Sequence, residues 1–158
     1  MQKKNVLGES PRHFHIEKGE RTHAGSHMPN TVAEKDQILR LMNMTIEEVR
    51  PGYAKVRMPL SDSVKNGMGY AHGGTIFSLA DIAFGAAANE GAEYFVVTLT
   101  TTIEYLRAGA EGPLTAEANV IRSGKHIQNY EVRVFDGNGE LIARTMTQGY
   151  TTRLKCTN

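Results

Sequence analysis

Tryptophan is absent from this 158-residue chain, and cysteine occurs once, at Cys156. A lone thiol cannot close an internal disulfide, so a reducing, cytoplasmic setting is expected. Charge of one sign is also scarce: 18 basic residues against 17 acidic ones leave a net charge of +1. Neither nucleic acid nor a membrane surface is therefore expected as a partner. Residues 1–5 are basic, but no apolar core of a signal peptide follows them. Histidine, cysteine and acidic residues never gather at metal-ligand spacing, so neither a metal nor another cofactor is expected.

What is present suits one globular domain: 40% hydrophobic and 22% charged residues, in a chain long enough to bury a core. The first thirty residues stand apart. They are polar and aperiodic, and they hold four of the six histidines, His13, His15, His23 and His27. Solvated histidines are expected there rather than metal ligands. Gly25-Ser26-His27-Met28 looks like a tag remnant, with Met28 as the native start. Residues 1–30 are accordingly read as an irregular or tag-derived tail, and 31–158 as one domain.

Along that domain, 31–43 reads as an amphipathic helix, with Thr31 and Glu34 placed as a capping box. Strands are expected at 44–49 and 53–58, around the turn Arg50-Pro51-Gly52. Four more are expected at 94–106, 114–122, 126–135 and 141–152, rich in Val, Thr, Ile and Tyr. The order is helix, two strands, helix, four strands, which calls for an antiparallel sheet packed on a helix.

The second helix is the unusual one. Residues 72–91 read HGGTIFSLADIAFGAAANEG. Apolar residues fall on nearly every side, which predicts burial all round. Asp81 at the centre and the wealth of small residues exclude a membrane span. Gly74, Ser78, Asp81, Gly85 and Ala88 share one narrow face that can approach another backbone closely. Ile76, Leu79, Ile82 and Ala83 turn elsewhere, towards the core. A buried acid is costly unless it is hydrogen-bonded or shifted in pKa. Asp81 is thus either a structural acid satisfied by neighbouring donors, or a general base or nucleophile in a dry cleft. The pair Gly73-Gly74 either lets the chain bend or bares backbone N–H groups at a helix start, where an oxyanion binds.

The loop and helix together, NGMGYAHGG followed by LAD, resemble the PaaI-like acyl-CoA thioesterases of the hotdog superfamily. The likeness is carried by Asn66, Gly69, His72, Gly73, Gly74 and Asp81, with nine residues from His72 to Asp81 and fifteen from Asn66 to Asp81. YLRAG at 105–109 and RSGK at 122–125 also resemble family features, and the likeness spans about residues 35–153. It implies an α+β hotdog fold, a curved antiparallel sheet wrapped around one long central helix. It implies hydrolysis of an aryl- or medium-chain acyl-CoA to the free acid and CoA. Asp81 would be base or nucleophile, the Gly73 amide the oxyanion donor, and Asn66 a holder of the reacting groups. Thr98 would position water beside the acid, and His72 would orient rather than transfer a proton. Arg107, Arg122 and Lys125 are candidates for the CoA phosphates, and Gly74 and Gly124 join them as substrate-binding. Phe77, with Phe84 and Tyr105, suits an aryl or medium acyl group.

Gly73 and Asp81 lie eight residues apart, roughly 12 Å along one helix. A thioester carbon must sit about 3 Å from its attacker and from the donors around its oxygen. Two helices running antiparallel across a two-fold axis would bring Gly73 of one chain beside Asp81 of another. A homodimer with two shared sites is therefore expected, and a dimer of such dimers beyond it. Two rivals remain on the same fold. One is a non-catalytic acyl-CoA sensor, which has no need of an acid facing a thioester. The other is a hydratase or dehydratase, which places a His with an acid in one site.

Overall fold

The computed structural model describes residues 35–156. The N-terminal tail, its four histidines and the Thr31–Glu34 cap lie outside the described residues. The short helix α1, Gln37–Leu41, is capped instead by Asp36, whose Oδ1 accepts the Ile38 N–H at 2.9 Å. Strand β1 (Thr45–Arg50) turns at Pro51-Gly52 into β2 (Tyr53–Met58). Gly52 holds φ at +81°, a value that favours glycine, and its N–H donates to Ala87 at the far end of the central helix.

A 3-10 turn at Asp62–Val64 and a loop lead into the central helix α2, Gly73–Asn89. Four strands follow: β3 (Tyr94–Tyr105), β4 (Leu114–Ser123), β5 (Ile127–Phe135) and β6 (Leu141–Lys155). All six strands form one antiparallel sheet in the order β1-β2-β4-β5-β6-β3. At about 4.8 Å per strand, a flat sheet of six would be roughly 24 Å wide, about twice a helix diameter. Yet α2 touches every strand. The sheet must therefore curve around it, which is the hotdog architecture the resemblance implied.

The core is the concave sheet face closed on α2. Leu79 and Phe84 of the helix meet Met58, Leu114, Val132, Val134 and Ile142, all at most 1% exposed. Each such side chain contributes roughly 2–3 kcal/mol through removal from water. Phe84 also meets the Tyr130 ring edge-to-face at 5.2 Å.

The helix is not buried all round, contrary to its composition. Gly74 is exposed, and Phe77, Ser78, Asp81 and Gly85 are half-buried. Only Ala88 of the small-residue face is covered, at 5% exposure. The sheet wraps one side of α2 and leaves this stripe open. Small residues suit a core and a close-approach surface equally, so composition did not separate the two.

The two sheet edges differ. β1 is short, interrupted by a bulge between Ile46 and Glu48, and charged at Glu47, Glu48 and Arg50. Such features protect an edge from further pairing. β3 runs for 12 residues with a single charge, Glu104, and leaves Val97 and Leu99 about half exposed, at 48% and 53%.

Candidate active site

His72 is the N-cap of α2. Its backbone is extended, with φ −68° and ψ 138°, and its Nδ1 accepts the Gly74 N–H at 2.9 Å. This is the capping role that Ser or Asp more often fills. It also fixes the tautomer: Nδ1 accepts, so the ring proton sits on Nε2. Gly73 is then the first helical residue, and its N–H finds no acceptor among the described residues. An unpaired N–H at a helix start is an anion-binding donor.

Tyr105, the last residue of β3, holds Gly73 from the other side. Its hydroxyl donates to the Gly73 carbonyl at 2.9 Å. Its ring lies so close that a Cβ on Gly73 would sit 3.2 Å from Cζ. Tyr105 therefore does more than flank an acyl group. No sequence pattern marks this tether, because a tyrosine ending a strand rich in Thr and Val reads as an ordinary strand residue.

Gly73 and Tyr105 line a groove of about 420 Å³ together with Asn66, Ile76, Leu106 and Arg107. Asn66 faces this groove from the preceding loop. Its Oδ1 accepts the N–H groups of Met68 (2.9 Å) and Tyr70 (3.2 Å), which leaves its Nδ2 donors without a partner among the described residues. Thus Asn66 shapes the loop and still presents two free donors. Arg107 reaches the groove too, although its guanidinium is 3.1 Å from Glu140.

Asp81 lies elsewhere, two turns along α2 on the open stripe. Thr98 of β3 donates its hydroxyl to Asp81 Oδ1 at 2.8 Å. The acid is half-buried rather than enclosed. Its second oxygen has no hydrogen-bond partner among the described residues. A carboxylate with one oxygen held and one free can accept a proton from water or attack a carbonyl.

The remaining expectations divide. Ser78 bonds back to the Gly74 carbonyl at 2.9 Å and so belongs to the helix itself. Phe77 lies on the open stripe but does not line the groove. Phe84, expected near the acyl group, is 1% exposed and belongs to the core. Arg122, Gly124 and Lys125 also stand apart from the groove. The ladder does place their turn at the Asp81 end of the sheet: Ser123 pairs with Gln128, Gln128 with Gly149, and Gly149 with Thr98. Within the chain the two groups therefore stand apart. The Gly73 groove lies at the Tyr105 end of β3, and the Asp81–Thr98 pair lies nearer its start.

No described helix is long and apolar enough to cross a membrane. Residues 68–143 match the model of the thioesterase superfamily. A protein of Archaeoglobus fulgidus named provisionally as an esterase is 35% identical over 111 residues, covering 70% of this chain and 71% of that one. The acyl-coenzyme A thioesterase PaaI of Escherichia coli is 33% identical over 111 residues, covering 70% and 79%. The solved structure of the E. coli PaaI protein from the phenylacetic acid degradation operon superposes with a TM-score of 0.74 at 30% identity, covering 78% of this chain and 90% of that one. The free helix-start amide, the held carboxylate and these relatives converge: the chain belongs to the thioesterase superfamily, as a PaaI-like thioesterase of the hotdog fold.

Proposed function

We propose that this protein hydrolyses an aryl- or medium-chain acyl-CoA to the free acid and CoA, at sites each shared by two protomers. The observation that carries the reading is the Thr98–Asp81 hydrogen bond of 2.8 Å on an open helix face. It leaves one carboxylate oxygen to activate water or to attack the thioester carbon itself. The Gly73 N–H stabilises the oxyanion that forms on the carbonyl. Asn66 contributes its free amide donors beside that oxygen, while His72 keeps the donor aimed by capping the helix. Arg107, Arg122, Gly124 and Lys125 serve the CoA portion, and Gly74 and Phe77 border the acyl portion.

The register of β3 supports the sharing. Antiparallel pairing of two β3 edges about a two-fold axis between Thr101 and Thr102 sets Thr98 opposite Tyr105 of the partner subunit. Thr98 holds Asp81 and Tyr105 holds Gly73. The same axis therefore brings Asp81 beside Gly73 of the partner subunit. The long, nearly uncharged edge of β3 suits such pairing. The open stripe of α2 then lies against its counterpart, where small residues permit close approach. Asp81 would leave bulk water on that contact, as expected for a carboxylate acting in a dry cleft.

The test is the Asp81→Asn variant, assayed for thiol release from benzoyl-CoA and hexanoyl-CoA. Loss of turnover by about a thousandfold in a folded protein is expected. Wild-type turnover would make Asp81 structural and remove the mechanism.

A further inference from the structure

Asn89, the last residue of α2, makes three hydrogen bonds through one side chain. Its Nδ2 donates to the Gly85 carbonyl at 3.0 Å and to the Val96 carbonyl at 2.9 Å. Its Oδ1 accepts the Val96 N–H at 2.9 Å. The amide thus occupies both backbone groups of one β3 residue, as a neighbouring strand would. Val96 pairs with Thr151, whose own N–H is given to His126, so this is a non-hydrogen-bonded rung at which Val96 turns both backbone groups to the outer edge of the sheet, where Asn89 meets them.

The position matters because the β3–β6 ladder is irregular on both sides of it. Register shifts fall between Tyr94 and Val96 and between Thr98 and Thr100. The short segment 96–98 pairs with 149–151 of β6 between those two shifts, and Asn89 holds it from the other side. It carries Thr98, two residues and about 6.7 Å beyond the clamped residue and on the same face. At the other end of the clamp, Asn89 stands on the same helix as Asp81, eight residues further along. One rigid body thus carries both the acid and the grip on the strand that supplies its hydroxyl partner.

We propose that Asn89 is a positioning residue for hydrolysis: by clamping Val96 to the end of α2 it holds Thr98 within hydrogen-bond reach of Asp81. This rests on the reading of Asp81 and Thr98 given above. Asn89 touches no substrate and acts only through the strand. Its loss lets the 96–98 segment shift and breaks the Thr98–Asp81 contact while leaving the Gly73 groove intact. The effect therefore falls on kcat and leaves KM for the thioester unchanged.

The experiment is a double-mutant cycle on the full-length protein, with Asn89→Ala made in the wild type and in Thr98→Ala. Thiol release from benzoyl-CoA and hexanoyl-CoA gives kcat and KM, and thermal melts report folding. Asn89→Ala should lower kcat about tenfold in the wild type and less than twofold once Thr98 is alanine. The melting temperature should fall by the same amount in both. An equal fold-loss of kcat in the two backgrounds overturns the proposal, because Asn89 would then act without Thr98. If Thr98→Ala alone leaves kcat unchanged, the reading of Thr98 falls, and the proposal with it. Should Asn89→Ala not fold, Asn89→Ser, which is too short to span to Val96, takes its place with the same expectations.

Discussion

Replacing Gly73 by proline should remove one hydrogen-bond donor while disturbing the backbone little. Gly73 is the first residue of α2, the helical position where proline is best tolerated. The residue before a proline must be extended, and His72 already is, at φ −68° and ψ 138°. A new Cβ would stand 3.2 Å from the Tyr105 ring. Gly73→Ala brings the same Cβ but keeps the N–H, so the difference between the two variants reports the donor together with the ring carbon that replaces its hydrogen. Loss of one oxyanion donor costs about 3–4 kcal/mol, or a factor of about 100–1,000 in kcat. Gly73→Ala should lose about threefold or less, as the Tyr105 ring shifts by a few tenths of an ångström. Both should melt within a few degrees of the wild type. Steady-state thiol release gives kcat, and Gly73→Pro within threefold of Gly73→Ala would refute the oxyanion assignment.

The same variant tests the shared site. Co-refolding equal amounts of Gly73→Pro and Asp81→Asn makes half the dimers mixed, each with one of two sites intact, so about a quarter of wild-type activity should return. No recovery would mean that each site is built within one chain. Thr98→Val should lower kcat about tenfold through loss of the 2.8 Å bond to Asp81, whereas Thr98→Ser should stay near wild type. Equal loss in both would rule out the hydroxyl as the cause. Tyr105→Phe removes the bond to the Gly73 carbonyl and should cost about 0.5–1 kcal/mol of stability by urea titration. Burial pushes the Tyr130 phenol up to about 12 from its ordinary 10.0. Between those pH values the unfolded chain loses a proton that the folded chain keeps, so stability falls with rising pH by about 1.4 kcal/mol per unit. Below pH 10 this effect is absent, and Tyr130→Phe should abolish it in urea titrations at pH 9 and 11.

Strand positions and the central helix were legible because each follows a period. Strand β2, 53–58, matches its observed span, and the helix foreseen at 72–91 forms over Gly73–Asn89. Boundaries slipped where ends are set by partners: β6 runs to Lys155, three residues past the expected end, as Cys156 donates to the Glu93 carbonyl across the sheet end. His72, Asp81 and Thr98 were singled out from motif likeness, not from pattern, as an orienting histidine and a water-positioning threonine near the acid; the cap and the direct Thr98–Asp81 bond are what the structure adds. The tethers of Tyr105 to Gly73 and Asn89 to Val96 were not foreseen at all. They join residues 32 and 7 positions apart through single side-chain groups, and no hydropathy period marks such bonds. The open stripe of α2 was missed for a related reason. Hydropathy reports what a face is made of, whereas coverage depends on how far the sheet reaches.

The long outer edge of β3 carries a consequence for handling the protein. Its middle, TLTTTI, combines strong strand propensity with no charge and no proline, a composition that self-associates when left bare. Turnover per chain should therefore decline on dilution and be regained on concentration, as protomers part and reunite. A lysine introduced at Thr100 should suppress the regain.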